Sequence, residues 1–100
     1  MFNALVAAGG DLVLNGHAHF YERYPRMSGD AQTAESGMRE FIVGTGGANL
    51  YPFETVNPAS EVRWNQGHGL LQLDLGPDGY QWRYLPTDTA VVVDSGSDTC

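Results

Sequence analysis

The sequence predicts an α/β chain that becomes mostly antiparallel β after residue 38. Two observations carry that expectation. Near the start, apolar residues at helical spacing end on a Gly-Gly pair and are followed by a short aliphatic run. Further on, two segments alternate apolar and polar residues on either side of the turn-forming Gly76-Pro77-Asp78-Gly79. One hundred residues allow one small domain at most, and 42% hydrophobic composition is ordinary for a globular chain.

Phe2, Leu5 and Val6 fall at helical spacing within residues 1–8, and Gly9-Gly10 is good helix-ending chemistry. No capping residue precedes them, so the expectation is a chain that begins inside a helix. Leu12, Val13 and Leu14 predict a buried strand over Asp11–Asn15, with a functional loop at its end. Small and polar residues from Ser28 to Gly37 predict an exposed loop. Arg39 to Thr45 reads as a second strand around Phe41, Ile42 and Val43. From Gly46 to about Gly69, prolines and asparagines predict a long irregular connection, of the kind that is usually functional. Leu71, Leu73 and Leu75, then Tyr80, Trp82 and Tyr84, give a hairpin whose aromatic face reads as core. A short last strand is expected at Ala90-Val91-Val92-Val93. The whole is consistent with the C-terminal half of a β-sandwich flanked by helices.

Twelve acidic residues against five arginines and no lysine give a net charge of −7. That balance disfavours a nucleic-acid partner, and none is expected, because phosphate backbones need concentrated cationic charge. A small phosphate substrate is not, since bound metal ions would supply positive charge locally. No apolar run is long enough for a membrane span. The one cysteine, Cys100, cannot close a disulfide within the chain.

The chemistry concentrates in Gly16-His17-Ala18-His19-Phe20-Tyr21-Glu22-Arg23. Imidazole is the commonest protein metal ligand and ligates as the neutral ring. In an extended segment, residues at i and i+2 point to the same side, so His17 and His19 could reach one metal or two adjacent ones. Tyr21, Glu22 and Arg23 are read as support for the histidine loop: an Arg–Glu ion pair and a packed Tyr. His68 reads as a loop residue between two glycines and stays outside the site. Gly44-Thr45-Gly46-Gly47 lacks the Lys-Ser/Thr of a phosphate-binding loop and reads as a turn.

GHAHFYER resembles the last metal-binding motif of the calcineurin-like metallophosphoesterases, and is most similar to the purple acid phosphatase branch, where GHxHxYER follows a strand like Asp11–Asn15. Weaker similarity runs through Phe41–Gly47 and Gly79–Tyr84 to Asp94-Ser95-Gly96-Ser97. It covers nearly all of this chain but only the last part of a family domain. The resemblance implies that residues 1–100 are the C-terminal portion of one catalytic domain with a four-layer α/β/β/α sandwich. It implies acid-phosphatase-like hydrolysis of small phosphate esters by two metal ions (iron with zinc or manganese, or another pair). His17 would ligate one ion and His19 the other. It also favours a secreted protein.

Two such cations lie about 4 Å apart, where they activate water and clamp the phosphate oxygens. Each needs at least four ligands, so one His apiece leaves both short. The family's other ligands come from upstream motifs that this sequence lacks. Asp11, Asn15, Asn49 and His68 have no spacing that recommends them as substitutes. The expectation is therefore an edge of a site, inactive alone. The alternative is a small β-rich binding module whose HxH pair is incidental or holds a single metal. Amidohydrolases and cupins also use HxH, but would leave Tyr-Glu-Arg unexplained.

Overall fold

Helix α1 (Phe2–Ala7) ends where the glycines place it. Gly9 sits at φ 86°, a left-handed conformation that glycine adopts without a Cβ penalty. The Gly9 N–H then donates to Val6 O and the Gly10 N–H to Leu5 O, both at 3.0 Å, which caps the last turn. The computed structural model describes residues 2–30, 32–88 and 91–100. Seven strands follow the helix among those residues: β1 (Leu12–Asn15), β2 (Tyr21–Met27), β3 (Met38–Val43), β4 (Val62–Trp64), β5 (Gly69–Leu75), β6 (Gly79–Pro86) and β7 (Asp94–Thr99). The chain is thus mostly β, in two sheets, with little helix. No described helix is long and apolar enough to cross a membrane.

The first sheet has the order β1-β3-β2-β4 and the second β5-β6-β7. β1 and β3 run parallel, with Asn15 level with Ile42, whereas β2 is antiparallel to both β3 and β4. The second sheet is antiparallel throughout, and Leu71, Leu73 and Leu75 lie opposite Tyr84, Trp82 and Tyr80 as the alternation predicts.

One core joins the sheets. Tyr21 and Phe41 from the first meet Tyr80, Trp82 and Tyr84 from the second, with Leu12, Val43, Val62, Trp64, Leu71, Leu73 and Val93 around them. Tyr21 stacks on Tyr84 at 4.2 Å between ring centroids, and Phe41 meets Trp82 edge-on at 5.4 Å. Such pairs add about 0.5–1.5 kcal/mol each beyond the area they bury.

Several expectations need correction. The segment after the histidines is not a loop: β2 runs through Pro25, which the ladder tolerates because the register shifts between Arg23 and Arg26. The connection from Gly46 to Gly69 is interrupted by β4, which pairs Tyr21 with Trp64. The last strand does not lie at Val91–Val93; Ala90 falls outside the described residues. It runs instead over Asp94–Thr99, whose inward positions Asp94, Gly96 and Asp98 carry no apolar side chain. Gly96 is required there, since a Cβ would overlap the Trp82 ring.

Those inward carboxylates fasten the sheets. Asp94 accepts hydrogen bonds from the Tyr21 hydroxyl (2.6 Å), Arg23 Nε (2.8 Å) and Trp82 Nε1 (3.3 Å). Asp98 accepts from Arg39 Nε (2.6 Å) and the Tyr80 hydroxyl (2.9 Å). Glu61 pairs with both Arg23 and Arg39, and both guanidinium groups lie over the Trp82 ring, 5.1 and 4.9 Å from its centroid. Burial pushes the Asp94 carboxyl up, but the bonds from Arg23 and Tyr21 outweigh it and hold the group below its ordinary range. Asp98 is held low in the same way by Arg39 and Tyr80.

Candidate metal centre

β1 and β3 are parallel, so the segments that leave them emerge at the same end of the sheet. His17 and His19 lie on the first of these segments and Gly44 to Asn49 on the second. Ligands gather at the carboxyl ends of parallel strands for this reason.

The histidine segment is not extended. Ala18 N–H donates to Gly16 O (2.9 Å) and Phe20 N–H to Ala18 O (2.8 Å), two tight turns in succession. His17 sits at φ 72°, left-handed and costly for a residue with a Cβ. Residues held in such conformations cluster at functional sites. The same-side argument from an extended strand therefore does not describe how the imidazoles are presented; the turns do.

His19 is held in a defined orientation. Its Nδ1 lies 2.6 Å from Asn49 O. A carbonyl can only accept, so Nδ1 carries a proton, and in the neutral ring Nε2 is then the nitrogen with the lone pair. This is the usual arrangement of a metal-ligating histidine, in which one ring nitrogen is tied to a carbonyl and the other is left to ligate. The ring also stacks on Tyr51, 4.0 Å between centroids at 17°. Tyr51 N–H donates to His19 O (2.9 Å), which closes a second link between the two segments. His17 is exposed.

The opposing segment is fixed from beneath. Thr45 is fully buried; its hydroxyl accepts from Tyr84 (2.6 Å) and donates to Gly69 O (3.1 Å). Gly44 passes so close to the histidine segment that a Cβ would overlap Ala18 O. His68 Nε2 donates to Ala48 O at 2.8 Å, so the 44–49 segment is gripped by a histidine on each side. His68 and Asn49 carry no spacing signal in the sequence. Both act here through backbone carbonyls, and only the turn glycines hinted at so close an approach.

Tyr21, Glu22 and Arg23 are structural, though not as expected. Neighbours in a strand point to opposite faces, so Glu22 and Arg23 cannot pair with each other. Arg23 turns inward to Asp94 and Glu61, and Glu22 accepts instead from the Tyr24 hydroxyl (3.1 Å). Burial first, and then the Asp94 carboxylate, raise the Tyr21 hydroxyl far above its ordinary value, and its hydrogen bond is spent on that carboxylate.

Donor chemistry at His19 fits a metal, and His17 is free to contribute a second imidazole. Among the described residues, however, no group of three His, Cys, Asp or Glu side chains could hold an ion. The two histidines therefore fit part of a ligand set and not a whole one. Comparison with known proteins finds no family model and no curated protein that the chain matches.

Proposed function

We propose that this chain is the C-terminal part of a metallophosphoesterase of the purple acid phosphatase type, acting on phosphate esters as an acid-phosphatase-like hydrolase. The four-layer α/β/β/α arrangement, the pair of metal ions and export from the cytoplasm belong to the same proposal. One observation carries it. Within Gly16-His17-Ala18-His19-Phe20-Tyr21-Glu22-Arg23, the His19 ring is tied by Nδ1 to a backbone carbonyl, which leaves Nε2 to ligate at the strand ends.

When bound, two cations would supply an activated water and neutralise charge on the phosphate oxygens. The chain's own part is narrower. His17 and His19 offer one neutral nitrogen each, Asn49 and Tyr51 fix the second ring, and the Tyr21–Arg23–Asp94 bonds hold the strand that follows. The remaining ligands would come from residues beyond these. In the full-length protein, His17→Ala and His19→Ala are each expected to lower phosphate-ester hydrolysis by about a thousandfold, the order seen when a transition-state interaction of some 4 kcal/mol is removed. Bound metal, measured by elemental analysis, is expected to fall from two ions per chain to one or fewer. Wild-type rates in both variants would end the proposal.

A second reading, a β-rich binding module with one loosely held ion, is favoured by the lack of a third ligand among the described residues. It calls for at most one metal per chain and no hydrolysis.

A further inference from the structure

The segment that orients His19 has little of its own to hold it. Between Thr45, which is buried, and Tyr51, the chain passes through Gly46 and Gly47, and both have open space where a Cβ would stand. Gly47 sits at φ 143°, a conformation that glycine adopts readily and loses the most entropy in keeping. Ala48 and Asn49 are exposed. Asn49 O nevertheless has to stay 2.6 Å from His19 Nδ1 for that ring to keep its orientation.

His68 supplies the restraint. Its Nε2–H donates to Ala48 O (2.8 Å), one peptide before the carbonyl that His19 uses. Fixing that peptide removes freedom that the two glycines bring to the segment. His68 is itself anchored from the second sheet, half-buried between the buried Gly67 and Gly69. Its carbonyl accepts from the Thr87 N–H (2.9 Å) and the Thr87 hydroxyl (3.3 Å), just past the end of β6. Next to it, Gly69 N–H donates to Thr45 O (3.1 Å). A continuous run of bonds thus leads from β6 through His68 and Ala48–Asn49 to an imidazole carried by the first sheet.

We infer that His68 is a positioning residue for the metal centre: by fixing the peptides at Ala48 and Asn49, it holds the His19 ring with Nε2 presented to the ion. The inference rests on the metal reading above and adds to it a residue far outside the histidine motif. His68 acts through the reach of one N–H, and neither its charge nor its bulk is required. Glutamine carries its amide nitrogen as many bonds from Cβ as the imidazole Nε2, whereas asparagine falls one bond short.

The experiment titrates zinc or manganese ions into the metal-free full-length protein and follows binding by calorimetry. Before metal is added, the ring nitrogen shifts of His19 report its tautomer by NMR. In His68→Asn and His68→Leu, metal affinity is expected to fall about tenfold, the lower end of what losing a ligand's supporting partner costs. His19 is expected to exchange between tautomers in both. His68→Gln is expected to bind like the wild type and to keep the proton on Nδ1. Asparagine preserves polarity and leucine preserves bulk, so a packing defect peculiar to one is not shared by the other. Wild-type affinity and tautomer in both His68→Asn and His68→Leu overturn the inference, and so do equal losses in all three variants. In either case the wild type still binds metal, and the metallophosphoesterase reading stands. A wild type that takes up neither ion overturns that reading and this inference together.

Discussion

Gly44 shows how a single absent side chain can set the position of two others. The backbone of the 44–49 segment passes against Ala18 O, and that approach lets the Asn49 carbonyl reach His19. Gly44→Ala puts a methyl group where a carbonyl oxygen already stands. The clash is with backbone, which cannot rotate away, so a cost of about 1–3 kcal/mol is expected in a urea titration. The His19 imidazole is also expected to lose its fixed tautomer, visible as a change in its ring nitrogen shifts by NMR. An unchanged titration and spectrum would show that the segments are less tightly engaged than described. His17 and His19 stand out in the sequence because a strand and Gly16 precede them and Tyr21-Glu22-Arg23 follows; the spacing alone would not single them out. The groups that orient His19 do not stand out, because a backbone carbonyl looks the same at every position in a sequence.

Among the elements, legibility followed hydropathy. β3, β5 and β6 carry apolar residues on their inward faces, and the alternation exposes them. β7 hides because its inward set is Asp94, Gly96 and Asp98, and β2 because its inward Arg23 and its Pro25 resemble loop chemistry. In both cases charge is neutralised across the sheets, a partnership that no local window contains. The turn between β2 and β3 has a different consequence. β2 runs away from the histidine segment and β3 runs back, so residues 28–30 and 32–37 lie at the far end of the sheet. Among the described residues, this turn is tied to β2 by the Met27–Thr33 bridge and by bonds from Ala34 N–H to Arg26 O and from Arg26 Nη1 to Glu35 O, all at the end of the strand away from the histidines. Insertion of about five Gly/Ser residues after Asp30 is expected to cost under 1 kcal/mol, the loop-closure term for so small a lengthening. Under the phosphoesterase proposal, it is also expected to leave metal content and hydrolysis intact. A loss of metal would contradict the separation of the two ends.

For the molecule as a whole, cohesion between the sheets depends partly on ionised carboxylates. Asp94 and Asp98 titrate below the unfolded aspartate value of about 3.9. A depressed folded value contributes stability that is complete above the unfolded value and is lost as pH falls through the folded one. The urea midpoint is therefore expected to stay flat from pH 7 to about 5 and to drop below pH 4. Asp94→Ala leaves Arg23 with Glu61 alone, so a loss of about 3 kcal/mol is expected at pH 7, with a shallower decline in acid. A variant as acid-sensitive as the wild type would place the titrating groups elsewhere. The two-sheet plan was half visible in advance. The aromatic hairpin announced a core, whereas the face it covers became clear only once Tyr21 and Phe41 were seen to share it.

β1 also occupies the margin of its sheet, and its four residues include neither proline nor a charged side chain. Proteins commonly guard such margins with lysine, which this chain does not contain. Leu14, 51% exposed, makes the margin adhesive as well as open. Any extended segment that comes alongside can extend the hydrogen-bond ladder, whether from elsewhere in the same polypeptide or from another molecule. The 100-residue chain is therefore expected to self-associate through this margin, and its behaviour to depend on concentration.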